Sequence, residues 1–245
     1  FWPDRTSDRI HIGYFSADFR RHPMMHLLGE VFAMHDRNRF RVTAFAFNVG
    51  EGDDYTQIAR DSVDEYIDVD GRSDEEVAAL ARQLRVDIAV DRKGYTRDAR
   101  TGIFSLRAAP VQVNYLAYPG TMGANFIDYI IADPVIIPPD ATEHYGEKVV
   151  WMPDCYSPRD TRVTVPEGGD RKAAGLPETG FVFSCFNQVL KITPDVYGLW
   201  MSVLAQTEGS VLWLLDEGPV ASENLRREAA SRGIDPSRII FAPKL

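Results

Sequence analysis

The stretch RIHIGYFSADFRRHPMMHLLGEVFAMH, residues 9–35, decides the fold. It opens as an apolar strand (RIHIGYFS, 9–16), turns through the polar ADFRRH, and continues as a helical PMMHLLGEVFAMH (23–35), with Pro23 suited to the first helical position. A buried strand followed by a helix is half of a βαβ unit, and the pattern repeats outward. FRVTAFAFN (40–48) and DEYIDV (64–69) read as strands, and VDIAVD (86–91) as another. Between the last two, SDEEVAALARQL (73–84) reads as a helix opened by a capping box from Ser73 to Glu76. PVQVNYLAY (110–118) and FIDYIIAD (126–133) carry the alternation on. Such alternation predicts an α/β domain around a parallel sheet.

Between 134 and 177 the character changes: prolines stand at 134, 138, 139, 153, 158, 166 and 177, with PEGGDRKAAG among them. The alternation then resumes with FVFSCFN (181–187), a helix over 195–206, SVLWLL (210–215), a helix over 222–232 and RIIFAP (238–243). The expected organisation is two Rossmann-like lobes, 1–153 and 179–245, joined by a Pro/Gly-rich connector over 154–178. Three strands and two helices make a short second lobe with an unfilled sheet edge, so that lobe is expected to be incomplete in this chain. The first residue is Phe1, and the chain is expected to start downstream of a preceding segment.

The 245 residues are 44% hydrophobic and 26% charged, ordinary for a globular protein able to bury a core. The net charge, 27 − 36 = −9, argues against a sequence-independent grip on nucleic acid or on an anionic membrane surface. Two cysteines, Cys155 and Cys185, are too few for a disulfide framework and fit a reducing compartment, so a cytoplasmic protein is expected. No apolar run approaches the roughly 20 residues that span a bilayer, and FWPDRTSD lacks the form of a signal peptide.

Ligands of open parallel sheets bind at the carboxyl ends of the strands, where helix N-termini point their positive dipole ends. Asp18 and His22 follow the first strand. His22 reads either as a helix N-cap or as a general base or orienting group beside Asp18. His22 and His26 have a spacing that zinc sites use, but the glutamate of a metalloprotease and a third ligand are missing, so no metal is expected. In YLAYPGTMGANF (115–126), Pro119, Gly120 and Gly123 make a tight turn that would let a sugar or a substrate backbone approach; an ordinary strand-to-helix turn is the alternative. In FVFSCFNQVLKITPDVYGLWMSVL (181–204), Asn187, Gln188 and Lys191 stand where a buried strand meets a helix. A lone cation there suits a phosphate, the alternative being a surface lysine at the helix entrance.

Taken in order, RIHIGYFSADFRRHPMMHLL, DRKGYTRDARTGIFSLRAAPVQVNYLAYPGTMGANFIDYIIADP, FVFSCFNQVLKITPDVYGLWMSVL, and SVLWLL followed by RIIFAP resemble the nucleocytoplasmic protein O-GlcNAc transferases, in particular their bacterial members and SPINDLY-like relatives. The resemblance implies a GT-B architecture, two Rossmann-like lobes with a cleft between. It also implies inverting transfer of N-acetylglucosamine from UDP-GlcNAc to Ser or Thr of proteins. The partners it implies are the UDP-sugar, a protein or peptide acceptor, upstream tetratricopeptide repeats and a further C-terminal part of the second lobe. No cofactor and no obligatory metal are implied. Asp18 and His22 match the family's catalytic DF..HP element, and Leu116, Ala117, Tyr118, Pro119, Gly120 and Thr121 its acceptor-side loop, with Ala117 where a glycine is usual. Gln188 and Lys191 match the element that holds the UDP, Lys191 also serving catalysis, and Lys244 and Leu245 fall near the nucleotide pocket. The alternatives are a relative that uses another sugar nucleotide, such as GDP-fucose, and a non-catalytic relative that binds nucleotide-sugars or proteins.

Overall fold

The computed structural model describes residues 7–162 and 168–243. The chain divides into two compact units, Phe1–Thr164 and Val165–Leu245, a division that falls inside the proline-rich stretch. The first unit contains β1 (Ile10–Ser16), α1 (Pro23–Met34), β2 (Phe40–Ala46), α2 (Asp54–Asp61), β3 (Glu65–Asp68), α3 (Asp74–Gln83), β4 (Ile88–Asp91), α4 (Thr101–Ser105), β5 (Val111–Asn114), β6 (Tyr129–Ala132) and β7 (Lys148–Trp151). Its seven strands form one sheet in the order β3-β2-β1-β4-β5-β6-β7, every pair parallel.

Near-continuous apolar strands result because the sheet is covered on both faces. Alternate residues go to opposite cores: Phe15 and Phe45 pack with Val77, Ala81 and Phe104, while Tyr14 and Ala44 pack with Met25, Leu28 and Phe32 of α1. Phe15 and Phe45 stack with ring centroids 4.4 Å apart, and the edge of Phe104 meets Phe15 at 5.3 Å. The parallel register pairs Ser16 with Ala46, Phe15 with Asp91, and Asp91 with Asn114. The carboxyl ends of β2, β1, β4 and β5 therefore lie side by side.

The capping box of α3 forms as the sequence predicts: Glu76 N–H donates to Ser73 Oγ at 3.2 Å, and Ser73 N–H to a Glu76 carboxylate oxygen at 2.8 Å. Helix α2, which the apolar pattern did not mark, is opened by a second capping box from Asp53 to Thr56. Strand β5 stops at Asn114, four residues short of the apolar run, because the chain leaves the sheet there; the Asn114 amide donates to the carbonyls of Tyr118 and Gly120. Residues Tyr156 to Arg162, within the expected connector, are packed on the first unit. Tyr115 Oη donates to Tyr156 O at 2.7 Å, Asp160 N–H to His26 O at 3.2 Å, and both the amide and the hydroxyl of Thr161 to Glu30 at 2.7 Å.

The second unit holds β8 (Val182–Cys185), α5 (Pro194–Gln206), β9 (Val211–Leu215), α6 (Pro219–Ser231) and β10 (Ile239–Ala242), a parallel sheet in the order β8-β9-β10. Phe183, Leu212, Leu214 and Ile239 form its core with Tyr197, Met201 and Leu204 of α5 and Ala229 of α6. Arg238 ties β10 to the end of α5 by donating to the carbonyls of Leu204, Thr207 and Ser210. Among the described residues no helix is long and apolar enough to cross a membrane.

Candidate active site

His22 is the N-cap of α1: its backbone is extended, and Met24 N–H donates to its Nδ1 at 3.2 Å. That bond requires a lone pair on Nδ1, so the neutral ring carries its proton on Nε2. Burial of the ring pushes its pKa below the usual histidine value; the Asp18 carboxylate opposes this, and the charges of Lys93, Arg20 and Arg92 add to it. The N-cap and the functional readings of His22 thus coexist: one ring nitrogen holds the helix while the other keeps an N–H.

Asp18 is buried at the end of β1, with its amide donating to Ser16 Oγ at 3.0 Å. Its carboxylate receives Lys93 Nζ on both oxygens at 2.9 Å, and His22 Nδ1 stands 3.7 Å from Oδ2. Lys93, buried just beyond β4, escaped the sequence reading, because RKGY looks like an exposed turn. The strand-end rule that marked Asp18 applies equally to Lys93 and could have found it. Asp91 shapes that turn: its Oδ1 accepts from the amides of Lys93 at 2.8 Å and Gly94 at 3.0 Å, while burial raises its own pKa. Behind the pair, Arg92 is wholly buried between the rings of Phe19 and Phe32, its guanidinium carbon 5.0 and 4.9 Å from their centroids. Its Nη2 donates to Met24 O in the first turn of α1. Asp18, His22 and Lys93 line a cavity of about 420 Å³, completed by Arg20, Asn48, Arg97 and Asp98.

The loop Leu116 to Thr121 follows β5, next to β4 in the sheet. Leu116 is buried, and the peptide between Tyr115 and Leu116 is cis. Gly94, at φ +53°, lies directly against Tyr118, where a Cβ would collide with the tyrosine side chain. Tyr118 also covers Gly120, and Tyr95 sets its ring edge-on to Tyr118 at 5.5 Å while donating to Met122 O. The turn after β4 and the loop after β5 are therefore locked together. Thr121 donates to Glu147 at 2.7 Å and accepts from the amides of Gly123 and Gly146, so its hydroxyl closes the loop. Ala117 does not occupy the left-handed region, so alanine fits where the resembled family has glycine. The exposed Pro119 carbonyl accepts from Tyr145 Oη at 3.3 Å.

In the second unit, Gln188 precedes a short 3-10 turn, Val189–Lys191, between β8 and α5, at its N-cap position and without a side-chain capping bond. Both Gln188 and Lys191 are exposed, and among the described residues neither side chain has a protein partner. Glu217, after β9, accepts from Val189 N–H at 2.8 Å and fixes this turn. The structure thus joins Asp18 and His22 with Lys93 in the first unit and places Gln188 with Lys191 in the second. Lys244 and Leu245 lie outside the described residues. His26, four residues from His22, is half-buried and shares a hydrogen bond of 3.0 Å between its Nδ1 and the Tyr55 hydroxyl. Among the described residues no group of three or more His, Cys, Asp or Glu side chains is placed to hold a metal ion.

Two parallel-sheet units with polar residues gathered at their strand ends define an α/β chain of two Rossmann-like lobes, the second with three strands. A model described as glycosyl transferase family 41 matches residues 2–168 and 158–244, and the chain belongs to that family. It is similar to a protein of Arabidopsis thaliana named a probable UDP-N-acetylglucosamine–peptide N-acetylglucosaminyltransferase SEC, 36% identical over 239 residues that cover 95% of this chain and 24% of the relative. A protein of Oryza sativa subsp. japonica, named a probable enzyme of the same activity, SPINDLY, is 31% identical over 252 residues, 98% of this chain and 26% of its own length. Among solved structures, an O-GlcNAc transferase of Thermobaculum terrenum carrying a lysine-to-methionine mutation superposes with a TM-score of 0.84 at 31% identity, covering 97% of this chain and 45% of that one. The chain thus spans about a quarter of the length of these curated relatives.

Proposed function

We propose that the intact protein is an inverting glycosyltransferase that moves N-acetylglucosamine from UDP-GlcNAc to Ser or Thr hydroxyls of proteins, without a cofactor or an obligatory metal. The observation that carries this reading is a 31% identity spread over 97% of the chain, with the same fold, to a solved O-GlcNAc transferase. Gln188 and Lys191 hold the UDP, together with Lys244 and Leu245. Asp18, His22 and the loop from Leu116 to Thr121 form the acceptor side. Upstream tetratricopeptide repeats and a further part of the second lobe complete the protein. Two free thiols, Cys155 and Cys185, support a cytoplasmic setting.

In the transfer, the acceptor oxygen bonds to the anomeric carbon as the bond from that carbon to the UDP oxygen breaks, and the hydroxyl proton passes to a base. Negative charge grows on the leaving phosphate, so the unpartnered Lys191 ammonium interacts more strongly with the transition state than with bound donor. His22, with Nδ1 engaged by the helix, offers its Nε2–H to orient the acceptor or sugar oxygen. Asp18 is engaged by Lys93 on both oxygens, which favours a phosphate oxygen of the donor over this carboxylate as the acceptor of the proton.

Titration of the intact protein with UDP, GDP and their sugars, followed by mass spectrometry of a protein acceptor, tests the reading. Selective UDP binding and addition of one N-acetylhexosamine to the acceptor are expected. Preference for GDP would make it a fucosyl-type transferase, and tight UDP binding with neither transfer nor donor hydrolysis a binding protein; either result overturns the proposal.

A further inference from the structure

We propose that Arg20 and Arg97, at the mouth of the strand-end cavity in the first unit, bind an acidic side chain of the acceptor polypeptide beside the modified Ser or Thr. This rests on the reading of that unit as the acceptor side. The argument is one of unspent charge. Within the cavity Lys93 and Asp18 cancel, since the lysine gives hydrogen bonds to both carboxylate oxygens and both residues are buried. What remains is Arg20, Arg97 and Asp98. Arg97 stands 4.0 Å from Asp98 with its side chain 94% exposed, a contact that holds the guanidinium only loosely.

The contrast between two adjacent arginines makes Arg20 informative. Arg21 is used by the protein: its guanidinium donates to Asp54 and lies 5.1 Å from the centre of the Tyr55 ring. The Arg20 side chain has no hydrogen bond, ion pair or ring contact among the described residues, although it lines the cavity. Its charge nevertheless reaches the site, where it acts on the His22 ring. Asn48, exposed and in the left-handed region at φ +54°, adds an amide to the same wall.

A chain of net charge −9 therefore has a local positive surplus at the mouth of this polar strand-end cavity. Two planar guanidinium groups with free donors suit a carboxylate, which each can bind through paired N–H bonds. The charged lining disfavours an apolar occupant. Because the rim surrounds the cavity that His22 lines, the carboxylate belongs to a residue next to the acceptor hydroxyl.

The test uses the intact protein and two acceptor peptides that differ only in Asp or Glu against Asn or Gln at positions flanking one Ser. The wild type is expected to favour the acidic peptide in kcat/KM by about three- to tenfold at low ionic strength, the range for one or two exposed charge pairs, and less as salt rises. Arg20→Gln combined with Arg97→Gln should bring the ratio of kcat/KM for the two peptides to about one, whatever its effect on the common rate, with UDP affinity unchanged. Arg97→Gln alone, at a nearly fully exposed position, guards against a folding defect and should remove part of the preference. Absence of a preference in the wild type, or equal losses on both peptides, overturns the proposal, and weakened UDP binding would instead place a donor phosphate at the rim. If the wild type transfers to neither peptide, the transferase reading fails. Peptide binding by fluorescence anisotropy then decides the rim by itself: acid-selective binding lost in the double variant supports it, and equal binding of the two peptides overturns it.

Discussion

The two units place polar residues at the same position of the same kind of sheet, yet handle them in opposite ways. In the first, Asp18 and Lys93 are 1% and 4% exposed and bonded to each other, with Asp91 and Asn114 buried beside them. In the second, Gln188 and Lys191 lie on an exposed turn, and among the described residues no side chain answers them. Breaking a buried pair leaves an uncompensated charge in the core and costs folding stability with no ligand involved, whereas an exposed, unpartnered cation costs little to keep and gains its partner on binding. Changes in the first unit should therefore be read out in stability and those in the second in ligand.

The largest expected effect comes from Lys93→Met, which leaves the Asp18 carboxylate buried without its partner. Unfolding of the first unit should lose about 3–5 kcal/mol, followed by urea titration, and a second change, Asp18→Leu, should restore much of it. A loss below about 1 kcal/mol would show the pair to behave like a surface ion pair. Lys191→Ala should do the reverse: stability within about 0.5 kcal/mol of wild type, but transfer slowed by about 10²–10³-fold. Full transfer with unchanged UDP affinity would remove Lys191 from the site.

His22 sits between these extremes, since it caps a helix and faces the cavity. His22→Ala should cost about 0.5–2 kcal/mol for the lost cap, while His22→Asn, which can cap, should keep stability and still lose transfer. Equal transfer by the asparagine variant and wild type would reduce His22 to a cap.

The smallest effect is one of pH, and it also separates the units. His11, His22 and His35 all have pKa values lowered mainly by burial. The unfolded chain then binds more protons than the folded one between those lowered values and the ordinary histidine value of about 6.5. This stability is fully present above that value and is lost as pH falls through the lowered ones. All five histidines lie in the first unit. As pH falls from about 7.5 to about 5.5, amide protection factors, corrected for the intrinsic pH dependence of exchange, should drop in β1 and β2 relative to β9, and equal drops in both units would count against the assignment.

Much of this contrast was legible in the sequence, and the rest was hidden for definite reasons. The switch between strand and helix periods located β1, α1, α3, β4 and every strand of the second unit, because parallel strands with helices packed against them read as nearly uninterrupted apolar runs. Pro23 after His22 marked the cap. Helix α2 and strand β7 escaped because each is short: the eight residues of α2 hold only Tyr55, Ile58 and Ala59 as apolar contacts, and β7 has four residues at the sheet edge. Lys93 escaped because a lysine beside glycine reads as solvent-facing unless its buried partner, 75 residues away, is known. The same holds for Glu147, which accepts from the hydroxyl of Thr121, 26 residues earlier.

The division of labour between the two strand ends is tested most directly by calorimetric UDP binding to the intact protein and to its Lys191→Ala and His22→Asn variants. The expected result is UDP affinity weakened by about tenfold or more for Lys191→Ala, the loss of a hydrogen bond to a charged group, and left within about twofold for His22→Asn. Loss of UDP binding in the His22 variant with retention in the Lys191 variant would contradict the account.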